Sequence, residues 1–335
     1  MRVLLTGGKG LTQSLWILWR GFERAGHDPV YVRADNNQRP KGPRSALYTE
    51  LRRELSNGAE LVVWWQPRHS ARAGEIAQLR NAFPGVPWVM QSLDDPFILE
   101  NRPGVRVFQS FDMAVTCCEG AVPWYERRGV AAIVGYPPVD RDLHGQAISC
   151  SKDRAPIGFV AWNVYANPAR YPDVLATRLD MAAVARKVAR VRLYGGWGKK
   201  DGDWQHAPPA WRKDFHGYRA WNGPLQRAFN SSKINLNSHV RPSALRYLND
   251  RATLCPASGG FMLCDKVNGI EELFKPNVEA VFWSSLEELR DKLHWWLAHE
   301  KQRKRVARAG RRRALAEFDN ERLARRIVDA SGLLR

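Results

Sequence analysis

The sequence predicts an α/β protein made of two domains, each built on a parallel β-sheet that helices cover on both faces. Three observations lead to this fold class. The chain has 335 residues, more than one ordinary core holds. Short apolar runs alternate with segments whose apolar residues recur at helical spacing. This alternation stops once, at a polar stretch over residues 140–156, and then begins again.

The first domain is expected to span residues 1–150. Its strands are short runs rich in valine, leucine, isoleucine and tryptophan, and each is followed by an amphipathic segment. The predicted strands cover residues 1–6, 29–32, 61–65, 86–90, 113–116 and 131–134. The predicted helices between them cover residues 11–24, 51–55, 71–83 and 122–128.

The second domain is expected to span residues 151–318, with a last helix in residues 319–335 that packs back on the first domain. Its predicted strands cover residues 157–160, 191–194, 233–236, 261–263 and 280–283. Its predicted helices cover residues 171–188, 224–230, 242–254, 285–298 and 302–318. Ligands of such sheets bind beyond the carboxyl ends of the strands, so a site is expected between the two domains.

Several classes of protein are disfavoured by composition. No uncharged apolar run approaches eighteen residues, and the amino terminus lacks the features of a signal peptide. The five cysteines are scattered, with no CxxC pair, which favours reduced thiols over a disulfide framework or a metal site. We therefore expect a soluble, cytoplasmic protein, in the host cytoplasm if the protein is viral.

The formal charge of +18 is distributed unevenly. Residues 1–150 hold 18 Lys and Arg against 15 Asp and Glu, which leaves 34 against 19 for the remainder. A field of this size attracts polyanions, namely nucleic acid, an anionic membrane surface or an acidic polysaccharide. The alternative is a solvated basic surface without a partner.

Residues 230–274 carry the most distinctive pattern in the chain. A lysine-bearing strand is followed by a helix with an arginine, a Gly-Gly-Phe strand and a Gly-x-Glu-Glu-Leu-Phe turn. The matching residues are Lys233, Asn235, Arg251, Pro256, Gly259, Gly260, Phe261, Gly269, Glu271, Glu272, Leu273 and Phe274. This pattern resembles the CgeB-like group of GT-B glycosyltransferases, and the rest of the chain matches more loosely.

The resemblance implies a GT-B architecture, in which two Rossmann-like parallel-sheet domains face each other across a cleft. It also implies a nucleotide-sugar co-substrate, with a UDP-sugar favoured, and no tightly bound cofactor. One departure concerns the two glutamates, eight positions apart, that such enzymes carry near the donor. Arg246 and Leu254 stand at those positions here, so either ribose binding falls to another residue, such as Asp250 or Glu271, or the donor is unusual.

A diphosphate leaving group can be neutralised without a metal by helix amino termini and cationic side chains. Residues 238–243 fit this need, with Pro242 in the first turn of the predicted helix, although a plain loop–helix junction is the alternative. Arginine grips phosphate with two parallel hydrogen bonds, which favours the arginines over Lys233. The candidate donor-binding residues are Gly8, Arg170, Lys233, His239, Arg241, Ser243, Arg246, Asp250, Arg251, Gly259, Gly260 and Glu271.

The catalytic base is expected at a strand end of the first domain. Asp94 and Asp95 follow the predicted strand at 86–90, and His69 follows the strand at 61–65. The alternatives are that the Asp-Asp-Pro sequence caps a helix and that the histidine has no role in the reaction.

The sequence therefore predicts a metal-independent glycosyltransferase with an anionic acceptor, and its charge favours DNA that carries a hydroxymethylated base, as in viral DNA modification. A second hypothesis is transfer to a cell-envelope lipid or polysaccharide at an anionic membrane. A third is a catalytically inactive relative that binds nucleic acid.

Overall fold

The computed structural model describes residues 1–7, 13–33, 46–67, 72–93, 103–146, 148, 154–161, 173–195, 207–216 and 224–333. The chain forms two compact units. Unit 1 comprises Met1–Pro138 and Phe318–Arg335, and unit 2 comprises Val139–Glu317. The division therefore precedes the expected boundary at residue 150. Its physical reason is that Leu143 and Gly145 accept hydrogen bonds, through their carbonyl oxygens, from Gln226 and Arg311 of unit 2.

Each unit contains one parallel β-sheet, which confirms the predicted fold class. In unit 1 the strand order is β2-β1-β3-β4-β5-β6, and in unit 2 it is β11-β10-β9-β7-β8. The strands of unit 1 are β1 (Arg2–Thr6), β2 (Asp28–Val32), β3 (Leu61–Trp65), β4 (Trp88–Ser92), β5 (Met113–Thr116) and β6 (Ala131–Val134). Those of unit 2 are β7 (Ala155–Val160), β8 (Val191–Tyr194), β9 (Ser232–Asn237), β10 (Met262–Asp265) and β11 (Val281–Trp283).

The described helices alternate with these strands. In unit 1 they are α1 (Gln13–Arg24), α2 (Ala46–Ser56), α3 (Ala73–Ala82) and α4 (Val122–Glu126). In unit 2 they are α5 (Arg141–His144), α6 (Arg178–Val188), α7 (Pro224–Ser231), α8 (Asp250–Ala257), α9 (Ile270–Leu273), α10 (Leu286–Ala298) and α11 (Glu300–Glu317). The chain then returns to unit 1 in α12 (Asn320–Gly332). Among these helices, none has the length and apolar character that a membrane span requires.

The core of unit 1 includes its last helix. Buried leucine, valine and phenylalanine side chains of β1, β3 and α1 form one cluster with residues of α12, among them Ile327. Helices α1 and α12 approach closely at Gly21, where a Cβ atom would collide with the carbonyl oxygen of Asn320. The buried amide of Asn320 donates to the carbonyl oxygen of Ile17 at 2.8 Å. The helix therefore belongs structurally to unit 1.

In unit 2, the prediction of a helix over residues 242–254 is wrong in its first half. Helix α8 begins at Asp250, and the Asn249 side chain caps it by accepting the Ala252 N–H at 3.2 Å. Residues before the cap form turns, and Arg246 has φ +48°, a left-handed conformation that a helix cannot contain. Pro242 therefore does not open a helix, and its turn supplies no helix amino terminus for phosphate.

Candidate functional site

The strand order of unit 2 points to one edge of its sheet. In chain order within the unit, the first strand, β7, lies between the second, β8, and the third, β9, so the connections diverge between β7 and β9. Ligands of open α/β sheets bind beyond the carboxyl ends of the strands at such a switch point. We call the edge where β7, β9 and β10 end at Val160, Asn237 and Asp265 the carboxyl edge, and the opposite edge the amino edge.

A buried histidine–aspartate pair occupies the carboxyl edge. Asp265 accepts the backbone N–H of His239 at 2.7 Å with one oxygen, and its other oxygen lies 2.8 Å from the ring Nδ1. An ionised carboxylate only accepts, so Nδ1 carries the proton in this contact. The other ring nitrogen, Nε2, is buried and has no hydrogen-bond partner among the described residues. The partner of this nitrogen therefore has to come from outside the described residues.

Cys264 completes a compact group with His239 and Asp265. Its sulfur lies 3.2 Å from Asp265 Oδ1 and 3.6 Å from His239 Nδ1, and the three side chains are close enough to hold a metal ion. Burial, followed by the charge of Asp265, raises the pKa of the Cys264 thiol well above its ordinary value. Both His239 and Cys264 contact Asp265, so the three side chains form one hydrogen-bonded network at the carboxyl edge.

Two further side chains hold the loop that follows β9. The buried guanidinium of Arg178, at the start of α6, donates to Ser238 Oγ at 3.1 Å and to the Ser238 carbonyl oxygen at 3.4 Å. The amide of Asn249 donates to the same carbonyl oxygen at 2.8 Å. These contacts fix the backbone immediately before His239, so the ring is preorganised.

Arg251 lies on the first turn of α8 and reaches the end of β9. Its Nε donates to Asn237 Oδ1 at 3.2 Å, and the Asn237 amide in turn contacts Cys264 Sγ at 3.5 Å. Burial lowers the pKa of Arg251, and the neighbouring Asp250 opposes this effect. The guanidinium stays charged, so the carboxyl edge contains a partly desolvated cation beside the His239 network.

The turn that replaces the predicted helix brings more charge to this edge. Ser243 donates a hydrogen bond to Asp173, and Arg241 lies 3.8 Å from the same carboxylate. Arg246 forms an ion pair with Glu272 of α9.

The same turn is joined to the start of α9. The Arg246 N–H donates to the Asn268 carbonyl oxygen at 2.8 Å. Gly269 has φ +74°, and a Cβ atom there would lie 3.0 Å from Arg246 Cγ, so glycine allows this approach.

The two carboxylates expected to bind ribose, Asp250 and Glu271, differ in their surroundings. Leu254, at the family's glutamate position, is buried in α8 and offers no acceptor. Asp250 is partly buried in the first turn of α8. Glu271 is exposed in α9 and forms no ion pair within the part of the chain that the structure describes. Glu271 is therefore the more available acceptor of the two.

The structure separates three candidate donor-binding residues from the others. Lys233 is the second residue of β9, and Gly259 and Gly260 precede β10, so all three lie at the amino edge. Gly260 is needed for packing, because a Cβ atom would lie 2.8 Å from both Asn235 Nδ2 and Cys255 Sγ. The residues gathered at the carboxyl edge or in the turns that follow it are His239, Arg241, Ser243, Arg246, Asp250, Arg251 and Glu271.

Five other candidates lie outside the described residues: Gly8, His69, Asp94, Asp95 and Arg170. Sequence reasoning, in turn, missed Asp265 and Arg178. Asp265 ends a strand at the carboxyl edge, where ligands of open α/β sheets bind, and this position is a signal that could have identified it. Arg178 carries no such signal, because its burial depends on the tertiary contact with Ser238.

Residues 177–329, less than half of the chain, match the model of a family described as glycosyl transferase-like. No curated protein matches the chain.

Solved structures share the fold at low sequence identity. Sucrose-phosphate synthase from Thermosynechococcus elongatus has a TM-score of 0.69 and 13% identity, covering 100% of this chain and 99% of that one. A glycosyltransferase from Rickettsia africae has a TM-score of 0.67 and 9% identity, covering 98% and 97%. HepE from Anabaena, in complex with UDP and glucose, has a TM-score of 0.65 and 12% identity, covering 98% and 99%.

The expected GT-B architecture is thereby confirmed. The fold and the family match together support a glycosyltransferase of the GT-B type.

Proposed function

We propose that this protein transfers a sugar from a nucleotide-sugar donor to a hydroxyl acceptor, as a member of the CgeB-like group. The observation that carries the proposal is the carboxyl edge of unit 2. There a buried histidine nitrogen, with no partner in the part of the chain that the structure describes, and the cation of Arg251 lie at the switch point of the sheet. This arrangement supports binding of a diphosphate.

In the proposed site, Arg251 and His239 contact the diphosphate. Arg251 offers hydrogen bonds from a partly desolvated guanidinium, which strengthens its interaction with phosphate oxygens. His239, held by Asp265, presents Nε2 and donates from it when the ring is protonated. Charge that develops on the leaving diphosphate is thus stabilised by groups already in place. The cation of Arg251 supports a reaction without a metal.

Glu271 is the proposed ribose ligand. A carboxylate accepts hydrogen bonds from both ribose hydroxyls, and Glu271 is the exposed carboxylate next to the ion pair of Arg246 with Glu272. We propose UDP as the nucleotide, a choice supported by the HepE structure, which contains UDP and glucose.

The base is proposed from sequence alone. Asp94 or Asp95 follows β4 along the chain, and His69 follows β3. Each would remove the acceptor proton as the sugar is transferred.

For the acceptor, we propose DNA with a hydroxymethylated base. The support is charge, because residues 151–335 hold 34 Lys and Arg against 19 Asp and Glu. The charge argument is weaker for α11, because three of its arginines already donate to backbone carbonyl oxygens of unit 2. These are Arg303, Arg311 and Arg313. Two alternatives have to be distinguished from a DNA acceptor. One is a lipid or polysaccharide acceptor at an anionic membrane, and the other is an inactive relative that binds DNA.

A thermal-shift screen with UDP-, GDP-, ADP- and dTDP-sugars tests the donor. At about a hundred times its Kd, a donor stabilises the protein by roughly 2.7 kcal/mol. We expect a shift with UDP-sugars. The absence of a shift with every donor would overturn the proposal.

The ribose contact is tested by comparing UDP with 2′-deoxy-UDP. The wild type should prefer UDP, and Glu271→Gln should reduce that preference, because an amide accepts fewer hydrogen bonds than a carboxylate. Glu287→Gln, at an exposed carboxylate of α10, is the matched control. An unchanged preference in Glu271→Gln would assign the ribose to Asp250 or another group.

The acceptor is tested by transfer of labelled sugar to hydroxymethylated duplex DNA, unmodified duplex and anionic vesicles. Transfer to the first alone supports the DNA proposal, and transfer to a vesicle component supports the membrane hypothesis. Binding of DNA without a response to any donor indicates the inactive relative.

A further inference from the structure

A second basic concavity lies at the amino edge of the unit 2 sheet, opposite the proposed donor site. It has a volume of about 660 Å³, within the size range of small-molecule sites. It is lined where β7, β8, β9 and β10 begin and by the first turns of α11. Because the strands are parallel, this edge is separated from the carboxyl edge by the length of the strands.

The charges that line the cavity are unbalanced. Among the described residues, five cationic side chains and one carboxylate, Glu300, contribute to the lining, an excess of four positive charges. The cationic residues are Arg154, Arg190, Lys233, Arg303 and Lys304. Of these, Arg154, Arg190 and Lys233 are exposed and pair with no acidic side chain within the described ranges. A concave, low-dielectric wall focuses the field of such charges.

The single carboxylate responds to these cations. A hydrogen bond from Lys304 is the largest cause of the lowered pKa of Glu300, and the charges of Arg303 and Lys233 lower it further. Lys304 Nζ lies 2.5 Å from the carboxylate. Glu300 therefore balances Lys304, while Lys233 remains to attract an anion from solution.

Arg303 is the cation of this cavity that backbone contacts hold in place. Its side chain is buried and donates to the carbonyl oxygens of Trp296 at 2.5 Å and Leu297 at 3.3 Å, at the end of α10. Burial lowers the pKa of Arg303, which reflects the cost of removing the guanidinium from water. The two carbonyl contacts hold this cation in one position at the wall of the cavity.

We propose that this cavity binds a compact, multiply charged phosphate compound at a site separate from the sugar donor. The size of the cavity favours a small phosphorylated molecule over a polymer. The phosphates of a nucleic acid strand share the same chemistry, so the experiment distinguishes the two sources.

The test is calorimetric binding of inorganic tripolyphosphate to the full chain. The double variant Arg190→Gln, Lys233→Gln should weaken binding at least tenfold. The control double variant Lys301→Gln, Arg308→Gln removes the same charge from exposed positions of α11 outside the cavity and should weaken binding less than threefold. Equal weakening in both would overturn the proposal, because it would indicate only a general positive field.

Two further arms locate the ligand. Saturating UDP should leave tripolyphosphate affinity unchanged, and competition by UDP would overturn the separate site without affecting the donor proposal. Single-stranded octathymidylate is then titrated as a competitor. The site is supported if octathymidylate competes with tripolyphosphate in the wild type and the double variant Arg190→Gln, Lys233→Gln abolishes this competition. Nucleic acid is then the source of the phosphate that the cavity binds. No competition supports the site for a small phosphorylated compound.

Discussion

The two edges of the unit 2 sheet use positive charge in different ways. At the carboxyl edge, cationic and imidazole groups contact acidic groups: Arg246 pairs with Glu272, and His239 contacts Asp265 at 2.8 Å. Among the described residues that line the amino-edge cavity there are five cations and one carboxylate, Glu300, which pairs with Lys304. The first arrangement fixes orientation, as chemistry on a bound sugar requires. The second leaves net charge, which attracts an anion but orients it less strictly. Three measurements test this difference, and a fourth, on His144, sets the pH range for comparing the edges; their order is from the largest expected effect to the smallest.

The carboxyl edge should depend on Asp265 for its structure. Asp265→Ala leaves two buried donors without a partner, the backbone N–H and the Nδ1–H of His239. We expect the free energy of unfolding of unit 2 to fall by about 3 kcal/mol or more, measured by urea denaturation. Asp291→Ala, at an exposed residue of α10, is the control and should change it by less than about 0.5 kcal/mol. Equal effects would mean that the network does not organise this edge.

Acidification should destabilise unit 2 through His144, which lines neither edge site. Burial lowers the pKa of His144 from 6.5 to about 4, and the neighbouring Asp140 opposes this effect. Below pH 6.5 the unfolded chain therefore binds a proton that the folded protein binds only near pH 4. The contribution of neutral His144 to the free energy of unfolding is complete above pH 6.5. It is lost as the pH falls toward 4, by about 3 kcal/mol in total.

This dependence is measured as the free energy of unfolding at pH 7.5 and pH 4.5. His144→Gln should show a smaller difference between the two pH values than the wild type. An unchanged difference would contradict the lowered pKa. Binding at the two edges is best compared above pH 6.5, where this loss does not interfere.

Donor binding should distinguish the edges directly. Arg251→Gln should weaken UDP binding by about tenfold or more, since a hydrogen bond from a charged group contributes roughly 1.5–3 kcal/mol. Lys233→Gln removes a cation from the amino edge and should leave UDP affinity unchanged. Calorimetry gives both values. If both variants weakened UDP binding equally, the donor would not be localised at the carboxyl edge.

The smallest expected effect is a gain. Glu300→Gln removes the single carboxylate of the amino-edge cavity and should strengthen tripolyphosphate binding about threefold, the size expected for an exposed charge. Glu287→Gln, an exposed carboxylate outside that cavity, should not change it. A weaker affinity in Glu300→Gln would mean that the carboxylate organises the site by holding Lys304.

Much of the fold could be predicted from sequence, because buried parallel strands are short apolar runs. Strands β3, β5 and β6 lie where the hydrophobic pattern predicts them. The prediction of a helix over residues 242–254 is wrong in its first half, because the apolar spacing continues through residues that are not helical in the structure. Arg246 adopts a left-handed conformation, and the cap that starts α8 is Asn249.

The site was harder to predict than the fold. Lys233 and His239 are close in sequence, yet they lie at opposite edges, because six residues of extended chain span about 20 Å. Strand geometry alone could have separated them. The partner of His239 could not be assigned in the same way, because Asp265 reaches it through the pairing of β10 with β9.

The return of α12 to unit 1 has a consequence for the order in which the chain acquires structure. All of unit 2 has been synthesised once Glu317 leaves the ribosome, whereas unit 1 still lacks the helix that covers α1. The apolar surface of α1 therefore stays uncovered until α12, which follows unit 2 in the sequence, has been translated. Although it is made first, the amino-terminal unit is the second to be completed.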